Sequence, residues 1–207
     1  MNTPLLDRRT VLPRLFPVPD AYLFVTGLAG PARDAAGLTQ DSAYTFTMAG
    51  AMGAATCMGL GMALMAPDRR VAVVTGDGEL LMNVGSLATV ATAAPANLSI
   101  VCIDNGCHGE TGGQPGHTSH HTDLELMAKG AGFASTMTLG TPGDLEAGAR
   151  FLQEAPGPRF VLVRVTNGPP TDFKRNLDLA ECRVRFRTAY LQSAGIGVAQ
   201  AARPMPR

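Results

Sequence analysis

The stretch Val71–Thr75, VAVVT, is an unbroken apolar and largely β-branched run, and Gly76-Asp77-Gly78-Glu79 follows it at once. Such a run suits a central strand buried on both faces of a parallel sheet. A second run, Leu98–Ile103 (LSIVCI), ends in Asp104-Asn105-Gly106. Between the two runs, Leu80, Val84, Leu87 and Ala91 share one helical face, and Pro95 closes it. Further strands are expected at Tyr22–Thr26, at Ala134–Leu139 and at Phe160–Val165. Helices are expected at Leu124–Gly132, at Asp144–Glu154 and along Leu179, Cys182, Phe186 and Tyr190. Strand and helix alternate. The expected fold is therefore α/β, a doubly wound parallel sheet with helices on both faces.

Other segments are plainer. Residues 1–19 read as a helix and turn that ends in Phe16-Pro17-Val18-Pro19. Residues 20–192 form the domain, and residues 193–207 a flexible tail. Gly30-Pro31 through Gly37 reads as loop and turn. Tyr44–Thr47 reads as a short strand leading into a Gly-rich helix. From Met48 to Ala66 no residue is charged, and these nineteen residues could just span a bilayer. Gly50, Gly53, Gly59 and Gly61 dilute the apolar character, and Asp68-Arg69-Arg70 follow, so a helix of an α/β core is expected instead of a membrane span.

Lys and Arg total 17 and Asp and Glu total 17, so the 207-residue chain has no electrostatic footprint for nucleic acid. Hydrophobic residues make up 45% of it, enough for a packed core. Its four cysteines form no CxxC pair, which argues against a zinc ribbon, a cysteine-held cluster or a disulfide scaffold and for a reduced, cytoplasmic setting.

Chemistry concentrates where the two apolar runs end. Open α/β sheets bind ligands at the carboxyl ends of their strands. Helix starts offer free N–H groups to phosphate. Asp77 lies between two glycines that let backbone approach a ligand, and its hard oxygens suit Mg²⁺. Asn105 sits just past the second run, so Asp77 and Asn105 can converge on one cation. Twenty-five residues, 79–103, separate Gly78 from Asp104.

This spacing resembles the diphosphate- and metal-binding motif of thiamine diphosphate enzymes. The resemblance implies that Asp77, Asn105 and the carbonyl of Cys107 hold Mg²⁺. It also implies that Gly76, Gly78, Glu79, His108 and Gly109 lie against the cofactor. Gly50-Ala51-Met52-Gly53 resembles the segment that holds the aminopyrimidine in that family. There the Gly50 carbonyl would accept from the 4′-amino group and Met52 would prop the cofactor's bend. The bland alternative makes Met52 one more core methionine of the ten present.

GELLMNVGSLATVA and DNGCHGETGGQP look like the β subunit of sulfopyruvate decarboxylase and the C-terminal half of phosphonopyruvate decarboxylase. The implied activity is decarboxylation of an anionic 3-substituted pyruvate, as one β-type subunit of a hetero-oligomer. One domain of this kind fills the chain. The pyrimidine-binding domain, with the Glu that activates the cofactor, is then expected on a separate α-type subunit. A carboligase of the acetolactate synthase type and a non-catalytic assembly subunit are the alternatives.

The four histidines, His108, His117, His120 and His121, fall within fourteen residues. They can be a zinc cluster, a solvated loop or a proton-transfer loop. His108, three residues past Asn105, is the candidate catalytic residue; the roles of the other three stay open. Arg33 and Arg164 carry no assignment.

Overall fold

The computed structural model describes residues 6–195. Six strands form one wholly parallel sheet: β1 (Tyr22–Thr26), β2 (Thr45–Thr47), β3 (Arg70–Gly76), β4 (Leu98–Asp104), β7 (Ser135–Leu139) and β8 (Arg159–Arg164). Their order is β2-β1-β3-β4-β8-β7. The remaining two, β5 (Cys107–His108) and β6 (Gln114–Pro115), make a small antiparallel hairpin inside the Gly-rich loop after β4.

Strand residues alternate between two cores, as the pleat requires. Leu23, Val25, Val71, Val73, Ile100 and Cys102 pack with α3 (Ala55–Met65), α5 (Ser86–Ala93), α6 (Leu124–Gly130) and α8 (Leu179–Ser193). Tyr22, Phe24, Ala72, Val74, Val101 and Ile103 pack with α1 (Arg8–Leu15), α2 (Ala29–Thr39) and α7 (Asp144–Glu154). Every residue of β4 is buried, which accounts for the continuous apolar run. The doubly wound α/β reading therefore holds.

Four local expectations need correction. Residues 29–39 are helix α2, not loop. Gly30 and Pro31 fall in its first turn, where the N–H that proline lacks has no partner to lose. The Gly-rich stretch is turn through Gly53, and helix starts only at Ala55; Gly53 has φ +76°, which ends any helical reading before it. The face Leu80–Ala91 is split between α4 (Asp77–Leu81) and α5, because Asn83 turns aside to donate to the Gly53 carbonyl at 3.1 Å. Finally, residues 6–16 lie within the domain: Leu6, Leu12, Leu15 and Phe16 are buried in the second core, and Leu6 bridges to Val165 in parallel.

The end of the expected tail, residues 196–207, lies outside the described residues, while α8 reaches Ser193. Among the described residues no helix is long and apolar enough to cross a membrane. The uncharged stretch ends up as one short helix whose Ala55, Thr56, Gly59, Leu60 and Ala63 are buried against the sheet. A side chain at Gly59 would run into Val73, so glycine sets the close approach of α3 to β3.

Candidate functional site

β2 and β3 flank β1 on opposite sides, so the winding direction reverses there. Loops at such a reversal diverge and leave a crevice at the carboxyl ends of the strands. The crevice is present as a cavity of about 540 Å³. After β1 it is lined by Leu28–Pro31; after β3 by Gly76, Asp77, Gly78 and Glu79; after β4 by Asn105, Cys107, His108 and Gly109. Residues 167–170 close it from the segment after β8, and Met52 borders it.

Gly76 precedes the first turn of α4 in extended conformation, and Asp77 opens the helix. Asp77 is 5% exposed and Asp104 4%. Thr118 Oγ1 lies 3.1 Å from Asp77 Oδ2 and 2.6 Å from Asp104 Oδ1. Burial first, and then the nearby Asp104 charge, push the Asp77 carboxyl above the usual carboxylate range, while the Thr118 hydroxyl opposes the shift. Asp104 Oδ2 accepts no hydrogen bond among the described residues, and the Arg164 guanidinium stands 3.9 Å away.

Asn105 is half-buried beside them. Its Nδ2 donates to Cys107 Sγ at 3.2 Å and to Asn167 Oδ1 at 3.3 Å, and its Oδ1 accepts from the Cys107 N–H at 3.4 Å. Two buried carboxylates close together, with a neutral amide beside them, form an oxygen-rich donor set of the kind a hard divalent cation takes. The residues present therefore fit a Mg²⁺ site.

Glu79 is buried as well. Its Oε2 accepts the Leu28 N–H at 3.0 Å, and its Oε1 has no hydrogen-bond partner among the described residues. Burial raises its pKa, with the Leu28 N–H acting the other way. Met52, Gly78 and His108 also border a second cavity of about 430 Å³, together with Leu81, Met82, His117 and Met127. The rings of His108 and His117 meet edge to face at 6.4 Å. His120 and His121 are exposed.

The family description "Thiamine pyrophosphate enzyme, C-terminal TPP binding domain" matches residues 33–163. The chain belongs to this family. It is 46% identical to the sulfopyruvate decarboxylase subunit beta of Methanocaldococcus jannaschii over 48% of this chain and 52% of that one. It is 38% identical to the phosphonopyruvate decarboxylase of Streptomyces viridochromogenes over 77% of this chain and 40% of that one. The chain thus spans about half the length of the first relative and less of the second. Among solved structures, the thiamine diphosphate-dependent 4-hydroxybenzoylformate decarboxylase of Rhodococcus jostii RHA1 superposes with a TM-score of 0.63 at 18% identity, covering 78% of this chain and 33% of that one.

Of the residues singled out in the sequence, Met52, Gly76, Asp77, Gly78, Glu79, Asn105, Cys107, His108 and Gly109 line one cavity of this TPP-binding domain. Gly50 and Ala51 lie in the exposed turn before Met52, outside the lining. Thr118, Asp104 and Arg8 were not legible as site residues. Thr118 is brought in by a loop with no motif, and Arg8 comes from a helix far away in sequence. Asp104 stands in the first position of the family's Asn-Asn ending, where the sequence reading gives it less weight than Asn105.

Proposed function

We propose that the chain is the β-type subunit of a heteromeric, thiamine diphosphate- and Mg²⁺-dependent 2-oxo acid decarboxylase. Its substrate would be an anionic 3-substituted pyruvate such as sulfopyruvate or phosphonopyruvate. The observation that carries this reading is the gathering of Asp77, Asn105 and Cys107 on one cavity at the strand-order reversal. The names of the relatives support the substrate class.

In this reading Asp77, Asn105 and the Cys107 carbonyl hold Mg²⁺ and, through it, the diphosphate. Thiamine diphosphate, when bound, supplies the electron sink that decarboxylation of a 2-oxo acid requires. Asp77 brings the negative charge that the cation needs, and Asn105 adds a neutral oxygen. Gly78 leaves room next to His108, whose ring lies 3.2 Å from where a Gly78 side chain would begin. His108, exposed and bordering both cavities, would hold or deliver a proton to the substrate in this reading. Met52 on the same wall supports the cofactor's shape. The Gly50 carbonyl and Ala51, in the turn just before it, would meet the aminopyrimidine.

Met52 and Met82, both exposed, border the second cavity, and an α-type subunit carrying the pyrimidine-binding half and its Glu would cover them. Four cysteines free of disulfides suit the reducing cytoplasm. The test is aldehyde release from sulfopyruvate, phosphonopyruvate and pyruvate, with thiamine diphosphate and Mg²⁺, by the chain with and without its partner. Turnover is expected only with the partner. Robust turnover by the chain alone would refute the split-subunit reading. Turnover that requires a second carbonyl substrate would assign a carboligase.

A further inference from the structure

Arg8 is the first residue of α1, where a positive side chain opposes the helix dipole, so helix stability does not explain it. Its side chain is 5% exposed. Nε donates to Asp34 Oδ2 at 2.8 Å. Asp34 in turn is fixed from the segment after β8, accepting at Oδ1 from the Thr171 N–H at 2.7 Å and the Thr171 hydroxyl at 3.0 Å. The guanidinium lies over Gly30, where any side chain would overlap it. Arg8 borders the 540 Å³ cavity, and its Nη2 donates no hydrogen bond among the described residues. Arg33, exposed, borders the same cavity.

A buried guanidinium with unspent donors is costly unless something takes them. Asp34 balances the charge and sets the orientation, yet uses only one edge of the fork. The remaining edge is suited to a tetrahedral oxyanion, which matches the planar fork of arginine better than a point charge would. Asp77 enters the cavity from the end of β3, and Arg8 and Arg33 from α1 and α2, so the lining carries groups of both signs.

We infer that Arg8, held by Asp34 and seated over Gly30, is an oxyanion-binding residue of this cavity, taking a phosphate- or sulfonate-type group. Two sources present that chemistry: the diphosphate of the cofactor and the acidic head of the substrate. The inference rests on the function proposed above, because both sources come from it.

The test titrates inorganic pyrophosphate, thiamine diphosphate with Mg²⁺, and sulfopyruvate into the full chain by calorimetry, for wild type and Arg8→Gln. A double variant, Arg8→Gln with Asp34→Asn, leaves no stranded buried carboxylate and keeps the test open if the single variant does not fold. Loss of one charge-assisted hydrogen bond should weaken binding about ten- to a hundredfold in both variants. Weaker pyrophosphate and thiamine diphosphate binding assigns the cofactor's diphosphate as the occupant. Weaker sulfopyruvate binding with cofactor affinity unchanged assigns the substrate's head. Affinities for all three ligands within twofold of wild type would overturn the inference and leave Arg8 as a structural ion pair. Wild-type chain that binds none of the three would also overturn it. The proposed function is decided separately, by partner-dependent turnover.

Discussion

Asp77, just past β3, and Asp104, the last residue of the neighbouring parallel strand β4, share a single hydroxyl, that of Thr118, at 3.1 and 2.6 Å. A hydroxyl has one proton to donate. Asp104, at the shorter distance, is the better placed to receive it. Asp77 is then left with no side-chain donor in a buried setting, beside a like charge. Such a pair is stable when one carboxyl is protonated or when a cation bridges the gap.

Asp77→Asn should accordingly separate stability from function. The amide keeps the shape and an acceptor but removes the buried repulsion. The metal-free variant should melt at or above the wild-type temperature. Its Mg²⁺-dependent affinity for thiamine diphosphate should fall by at least on the order of a hundredfold, since even outer-shell changes cost ten- to a hundredfold. Asn105→Ala removes a neutral donor and should weaken binding less. Melting curves beside calorimetric titration provide the check. Unchanged cofactor affinity in Asp77→Asn would remove the metal assignment.

Gly27 and Glu79 form a second such pair. A methyl at Gly27 would overlap the Glu79 carboxylate, and Glu79 is buried and bonded to the Leu28 N–H. Gly27→Ala should therefore destabilise the chain by about 1–3 kcal/mol through overpacking. Adding Glu79→Ala should recover part of that loss, and Glu79→Gln, of equal size, should not. The double-mutant cycle reads the coupling from denaturant midpoints. Additive effects would show that the two positions do not press on each other.

The parts of this architecture that were legible in the sequence are those fixed by local patterns. VAVVT and LSIVCI read as doubly buried strands because both faces of β3 and β4 are covered. Gly76–Glu79 and Asn105 read as a site because strand ends in an open α/β sheet are where ligands meet backbone. Helix α2 was missed because Gly30 and Pro31 are breakers in a helix interior but are harmless in a first turn. The break between α4 and α5 was missed because it depends on Asn83 reaching the Gly53 carbonyl, thirty residues away. Arg8 reaches the cavity, and Thr118 the Asp77–Asp104 pair, only through tertiary contacts, with Asp34 and with the two carboxylates, and no spacing in the sequence encodes those.

Met52 offers a sharper test than the sequence alone allowed. A core methionine replaced by alanine costs about 2–5 kcal/mol. Met52 is 45% exposed and borders both cavities, so it is not a core residue. Met52→Ala should shift stability by no more than about 0.5 kcal/mol. If it supports the bound cofactor, turnover of the assembled enzyme should drop on the order of tenfold or more, as misplaced reacting groups do. Melting temperature and kcat measured on the same preparation separate the two effects. Normal turnover would strip Met52 of its role.

α3 buries one side on β3 and leaves the other side apolar in solvent: Met58, Leu64 and Met65 are 37%, 55% and 64% exposed. Met82, at 64%, borders the second cavity next to Met52. An exposed apolar surface of this kind is the ordinary mark of a covered face. Val18, 63% exposed, lies between α1 and β1 and is not part of α3 or of either cavity lining, and serves as the control. Leu64→Glu and Met82→Glu should leave the isolated chain's melting almost unchanged, within about 0.5 kcal/mol, because both are surface positions. With the proposed α-type subunit present, the same changes should weaken association by about thirtyfold or more, the size expected of a central interface residue worth about 2 kcal/mol. Val18→Glu should alter neither. Sedimentation of the mixed subunits, followed by aldehyde release at fixed partner concentration, gives both readouts. Full association and turnover in the Leu64→Glu and Met82→Glu variants would place the partner on another face and leave this apolar surface without an occupant.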